Sequence, residues 1–166
     1  MSIIKGFLTV LFITFIVLVF ALFPVSAADG DALAMKVTVP SVLPVAVSSD
    51  GTTSVANRVE IINESDYDVQ VDAVVLNPSD DWRVVAMDTD FKKVPVDTKQ
   101  YGFMLNGVDF YNKDHRCLCD LWEAFPLIEA NSSLLFNYDA RIAVQSTTFS
   151  DMDIGHVVFT IAKADS

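Results

Sequence analysis

Cysteine is nearly missing from this 166-residue chain: there are two, Cys117 and Cys119, one residue apart. Two such thiols cannot form the disulfide framework of a small exported scaffold, so any stable domain must rest on a packed core. Basic residues are also scarce. Eleven Lys and Arg face 22 Asp and Glu, a formal net charge of −11. A surface of that sign cannot neutralise phosphates, which argues against nucleic-acid binding, and it is repelled by an anionic bilayer. Histidine occurs only at 115 and 156, which narrows imidazole chemistry. The chain shows no internal repeat, linker or low-complexity segment, and only one long apolar run.

That run opens the chain. Met1-Ser-Ile-Ile-Lys5 is a short, weakly basic start, Phe7 to Phe23 carries no charge, and Pro24-Val-Ser-Ala27 ends in small residues. Val25 and Ala27 occupy the −3 and −1 positions of a signal-peptidase site, so residues 1–27 are expected to be a signal helix cleaved after Ala27 or Ala28. Read the other way, the run is near the lower limit for a bilayer span and would be an uncleaved anchor. Export predicts a secreted or cell-surface protein that meets the membrane only through this segment. Setting it aside leaves 28–166, which holds all but one of the charges and is long enough to bury a core.

The mature part alternates at period two. From Leu134 one parity reads Leu134, Phe136, Tyr138, Ala140, Ile142, Val144, and the other Leu135, Asn137, Asp139, Arg141, Ala143, Gln145. That is a strand with one wet face. Further strands are expected at 36–39, 42–47, 57–62, 69–76, 82–87, 101–105 and 156–162, several rich in β-branched residues. Asp50-Gly51, Asn63 to Asp66, Asn77 to Asp81 and Asn106-Gly107 supply the turns, the last being a strong hairpin signal. Pro40 and Pro44 bracket Ser-Val-Leu, which makes that stretch an edge strand or one that changes sheets. One short helix is expected at 119–125. The prediction is an all-β chain: a single antiparallel β-sandwich, immunoglobulin-like or jelly-roll-like, of eight or nine short strands.

No catalytic motif accompanies it. There is no His-Glu-x-x-His zinc-protease element and no Gly-x-Ser-x-Gly nucleophile elbow, so no enzyme is expected. The densest reactive cluster is His115, Cys117 and Cys119, whose thiolates and imidazole suit zinc or copper. It lacks the second half of a structural zinc site, and free loop thiols are the plainer reading; no metal or other cofactor is assigned. Asp80-Asp81, Asp88 with Asp90, and Asp151 with Asp153 are loop carboxylates of the type calcium takes, without the glycine-bearing loop of an EF-hand. Trp82, Tyr111 and Trp122 would serve a glycan-binding surface if exposed together at one end of the sandwich. Asn63-Glu-Ser65 and Asn131-Ser-Ser133 match the short N-glycosylation pattern.

The run Met35-Lys-Val-Thr-Val39 through Pro44-Val-Ala-Val47 to Gly51, the segment Val59-Glu-Ile-Ile-Asn-Glu-Ser65, Tyr138 to Ser146, and Val157-Val-Phe-Thr-Ile161 resemble small exported β-sandwich proteins of Gram-positive gut bacteria. The Asn-x-Ser element before a Val-x-Val strand is also similar to a hairpin of TasA/camelysin-type fibre and surface proteins. That resemblance implies subunits that assemble into extracellular filaments, an N-terminal strand of one completing the sheet of the next. The protease activity behind the name camelysin has no zinc motif here and is not carried over. The expected role is therefore a structural surface protein, a subunit of a fibre, pilus or cell-envelope matrix. Its partners would be further copies of itself or other surface proteins. The donor or edge strand would carry Met35, Val37 and Val39. The alternative is a secreted module binding a glycan, calcium or a host protein.

Overall fold

The computed structural model describes residues 34–48, 50–56, 58–111, 125–147 and 152–164, and the backbone alone of 11–20 and 116–117. The architecture is all-β, and the described residues contain no helix. The helix expected at 119–125 lies outside them except for Phe125, which sits in a bend and is buried.

The largest sheet has six strands. Its spine is β6 (Val69–Pro78) paired antiparallel with β13 (Met152–Lys163). Beyond β6 lies β10 (Arg116–Cys117). Beyond β13 lie, in order, β1 (Leu11–Phe20), β3 (Val45–Val47) and β4 (Thr53–Val55). A three-stranded sheet sets β5 (Val59–Asn63) between β11 (Ser132–Phe136) and β2 (Val37–Thr38). A four-stranded sheet holds β8 (Gln100–Leu105) between β12 (Tyr138–Ile142) and β7 (Arg83–Val84), with β9 (Val108–Asp109) also on β8.

Local chemistry explains most of these boundaries. Asn106 and Gly107 both have positive φ, 45° and 83°, as a two-residue hairpin between β8 and β9 requires. Pro40 and Pro44 interrupt the chain between β2 and β3, and the two strands lie in different sheets. The alternation from Leu134 keeps its inward parity, with Phe136, Tyr138, Ala140 and Ile142 all buried. The single strand expected there is nevertheless two. The Asn137 N–H donates to Asn106 Oδ1 at 2.8 Å and the Asn137 carbonyl accepts the Asn106 N–H at 2.8 Å, which takes both groups out of the β11–β5 ladder. β12 then continues in the neighbouring sheet.

Two bulges change the inward parity along the spine. Asp72 is the extra residue on β6, since Thr160 stands opposite Ala73 and Ile161 opposite Val71. Burial accordingly passes from Val69 and Val71 to Val74 and Leu76. Ile154 is the extra residue on β13, between Asp153 opposite Thr14 and Gly155 opposite Phe15.

One hydrophobic cluster draws on all three sheets. Phe136 of β11 and Phe159 of β13 lie with ring centroids 5.8 Å apart, and Phe125 packs on both at 6.1 and 6.0 Å. Phe103 meets Phe110 at 5.7 Å and Tyr138 at 6.3 Å. Each such ring, fully buried, contributes about 1.5–3 kcal/mol by transfer from water.

Candidate functional site

The apolar run expected as a signal helix is, over Leu11–Phe20, an extended strand. Its composition permits this: Ile13, Thr14, Ile16, Val17 and Val19 are β-branched, and Phe12, Phe15 and Phe20 are aromatic. It takes a central place. β1 runs parallel to β13 in register from Ile13 opposite Met152 to Phe20 opposite Thr160. On its other side it runs antiparallel to β3, with Leu11, Phe12 and Ile13 opposite Val47, Ala46 and Val45. Its first three residues thus pair with β3 and the stretch from Ile13 onward with β13, the two ladders sharing Ile13.

The β13 wall is apolar at its middle, where Val157 and Phe159 are fully buried, and polar at one end. There Asp153 accepts the Gly155 N–H at 3.0 Å through Oδ1, and its Oδ2 lies 3.3 Å from His156 Nε2. Gly155 stands opposite Phe15 in the register.

The opposite wall is the β3–β4 hairpin. Its turn closes with Gly51 at φ +82° and the Ser48 N–H donating to the Thr52 carbonyl at 2.8 Å. The Thr52 N–H donates to Asp50 Oδ1 at 2.9 Å and holds that carboxyl below its ordinary range. In the ladder of the six-stranded sheet the hairpin reaches β13 only through β1. A second attachment comes from the four-stranded sheet. The Tyr138 hydroxyl donates to the Pro44 carbonyl at 2.6 Å and accepts the Ala56 N–H at 3.1 Å, so it grips the residues just before β3 and just after β4. Burial pushes the Tyr138 hydroxyl above the usual phenol range, partly offset by the Ala56 N–H, so it stays a neutral donor at neutral pH.

The arm named from sequence lies elsewhere. Met35, Val37 and Val39 are half-buried against the core, and Val37–Thr38 forms the outer strand on β5, opposite Asn63 and Ile62. This is a two-residue edge. Beyond the ladder it is held by the Lys36 N–H donating to Ser65 Oγ at 2.8 Å and the Glu64 N–H donating to the Lys36 carbonyl at 2.8 Å. Asn63 and Ser65 are the buried polar residues behind it. Asn63 Nδ2 donates to the carbonyls of Tyr67, Ile128 and Glu129 at 2.9, 3.1 and 3.0 Å, while Oδ1 accepts the Ser65 N–H at 3.0 Å. That nitrogen is spent inside the fold, so the glycosylation pattern at Asn63 is a structural Asx turn.

The remaining sequence candidates scatter. Trp82 is buried, edge-on to Tyr101 at 6.1 Å, and offers no platform for a sugar, whereas Tyr111 is 56% exposed. Trp122, His115, Cys119, Ala27 and Ala28 lie outside the described residues, and Cys117 is placed by backbone only, opposite Val74. Asp81 pairs with Lys99 at 3.3 Å and Asp90 with Lys93 at 2.9 Å. Among the described residues no three His, Cys, Asp or Glu side chains gather into a metal-binding group. The Tyr138 clasp and the Asn63 turn went unread as such in the sequence, although Tyr138 carries the inward parity and Asn63-x-Ser65 has the Asx-turn spacing.

No family model matches the chain, nor does any curated protein or solved structure with which it was compared.

Proposed function

We propose that this chain is the precursor of an exported structural protein, a subunit of an extracellular fibre, pilus or envelope matrix that assembles by exchanging strands between copies. One observation carries the reading: the segment that export processing after Ala27 would remove is a central strand between β13 and β3. Losing that strand exposes the long edge of β13 opposite Ile13–Phe20 and the short edge of β3 opposite Leu11–Ile13, beside the buried Val157, Phe159 and Val45. An open edge of this kind is a template for another strand. The segment 33–39 suits that role in sequence, with Leu33, Met35, Val37 and Val39 alternating with Ala34, Lys36 and Thr38. Its present seat on β5 is the two-residue edge just described.

The sheets are read as two layers of one β-sandwich, because a single core cluster joins them. The leader is read as a helix during export, when lipid leaves no strand to pair with, and as a strand only when folded on its own domain. The work is mechanical, without catalysis or a bound cofactor, at the cell surface. A glycan-binding module is the weaker reading, since Trp82 is buried.

The test is to compare, by size-exclusion chromatography and electron microscopy, the full chain with the same chain cut after Ala27 at an introduced protease site. The cut chain should form concentration-dependent oligomers or filaments as its leader departs. A cut chain that loses its leader and remains monomeric at every concentration would sink the assembly reading.

A further inference from the structure

We propose that the cleft between the tip of the β3–β4 hairpin and the chain around Phe91 binds a small organic acid, its carboxylate held by Arg141 and Lys92 and its apolar body against Phe91 and Val144. None of residues 1–39 lines this cleft, so the site stands or falls apart from the assembly reading.

The cleft has a volume of about 270 Å³. It is lined by 50–53 of the hairpin, by Phe91 and Lys92 of the loop between β7 and β8, and by Arg141 and Val144 at and beyond the end of β12. That is smaller than most drug-sized sites, with room for one ring or short chain and one acidic group.

Charge selects an anion. The chain carries 22 acidic residues against 11 basic ones, yet among the described residues Arg141 and Lys92 take no part in an ion pair. The one acidic residue lining the cleft, Asp50, is engaged with its own turn. Its carboxyl is held below the ordinary range chiefly by the Thr52 N–H and hydroxyl, with the Lys92 charge adding a little in the same direction. Two cations and one carboxylate leave a single positive charge, which suits a monoanion better than a phosphate dianion.

Arg141 is set in place before a ligand arrives. Its Nη1 donates to the Met87 carbonyl at 2.9 Å, and its guanidinium carbon lies 5.4 Å from the centre of the Phe91 ring. One of five N–H donors is thereby used, and the rest of the fork matches the two oxygens of a carboxylate. Beside it Phe91 and the half-buried Val144 offer apolar surface. Val144 is fixed from two sides. Its carbonyl accepts the Asp97 N–H at 2.9 Å, and the hairpin tip is so close that a Cβ on Gly51 would come within 3.0 Å of Val144 Cγ2. A site whose donor and floor are already held loses little freedom on binding.

The experiment titrates the uncut full chain with 3-phenylpropionate, with its uncharged amide, with phenyl phosphate, and with a tripeptide ending in phenylalanine, followed by two-dimensional amide NMR. The acid should bind with a Kd of about a millimolar or tighter, in keeping with its size, and move the Thr52, Thr53 and Lys92 amides. The uncharged amide should not. Arg141→Gln should weaken the acid about tenfold or more. That variant also loses the Met87 bond, so Lys92→Gln, at an exposed side chain, is the cleaner probe and should weaken binding about threefold. Lys93→Gln, whose Nζ pairs with Asp90 outside the cleft, should change nothing. Equal binding of the acid and its amide, shifts that miss the cleft, or equal effects of Lys92→Gln and Lys93→Gln overturn the site. Tighter capture of phenyl phosphate overturns the carboxylate as the group held, and tighter capture of the tripeptide overturns a free acid as the occupant.

Discussion

The side-chain amide of Asn63 donates to the carbonyl of Ile128 at 3.1 Å, joining positions 65 residues apart in a buried place where no solvent could substitute. The same nitrogen serves Tyr67 and Glu129, and the neighbouring Oδ1 serves Ser65. Asn63→Ala leaves several buried groups unpaired at once. It should cost about 3 kcal/mol or more of unfolding free energy in denaturant titration, since each stranded group costs about 1–3 kcal/mol. Asn63→Asp, which cannot donate to three carbonyls, should be no better tolerated.

Gly102 sits on β8 beneath Met87. A Cβ there would come within 2.8 Å of Met87 Sδ and 3.1 Å of its Cα. Met87 has little room to retreat, because its N–H donates to Asp109 Oδ2 at 2.8 Å and its carbonyl accepts from Arg141 at 2.9 Å. Gly102→Ala should therefore lower stability by about 1–3 kcal/mol, the range for overpacking, and shift the melting temperature down.

Phe136 and Phe159 tie the three-stranded sheet to the six-stranded one. Each truncation to Ala should cost about 3–5 kcal/mol. Their double-mutant cycle should show a coupling of about 0.5–1.5 kcal/mol in thermal or chemical unfolding, the share of an aromatic pair beyond its burial.

Asp97 binds Ser146 through the backbone N–H at 2.7 Å and the hydroxyl at 2.7 and 2.9 Å, and these bonds hold its carboxyl below the ordinary range. A depressed folded value means that the bonds help stability above the unfolded carboxylate pKa. The help is lost as pH falls through the lower folded value. The Ser146 amide resonance should keep its neutral-pH position down to about pH 4 and move only below it. Asp97→Asn should flatten that titration.

Much of the β architecture can be read from residue order because pleated strands with one wet face write their period into the sequence. The inward parity from Leu134 to Ile142, the Asn106-Gly107 hairpin and the sheet change across Pro40 and Pro44 are local matters of propensity and turn geometry. The break at Asn137 is not visible, since the alternation runs straight through it and the cause is a hydrogen-bonded partner 31 residues away. The bulges at Asp72 and Ile154 are equally silent. The candidate site was the least legible. Leu11–Phe20 reads as a membrane-seeking run, and the same β-branched composition pairs as a strand once β13 and β3 offer open edges. Tyr138 announces its inward side but not the two backbone groups its hydroxyl reaches.

The central claim is that β1 fills a place that processing empties and a second copy refills. The most direct measurement is amide hydrogen exchange of the β13 residues between Gly155 and Thr160 whose N–H groups face β1. In the full chain these amides should be protected. In the processed chain they should exchange fast when dilute and regain protection as concentration rises and copies associate. Protection that is the same in the full and the processed chain, whatever the concentration, would contradict the claim.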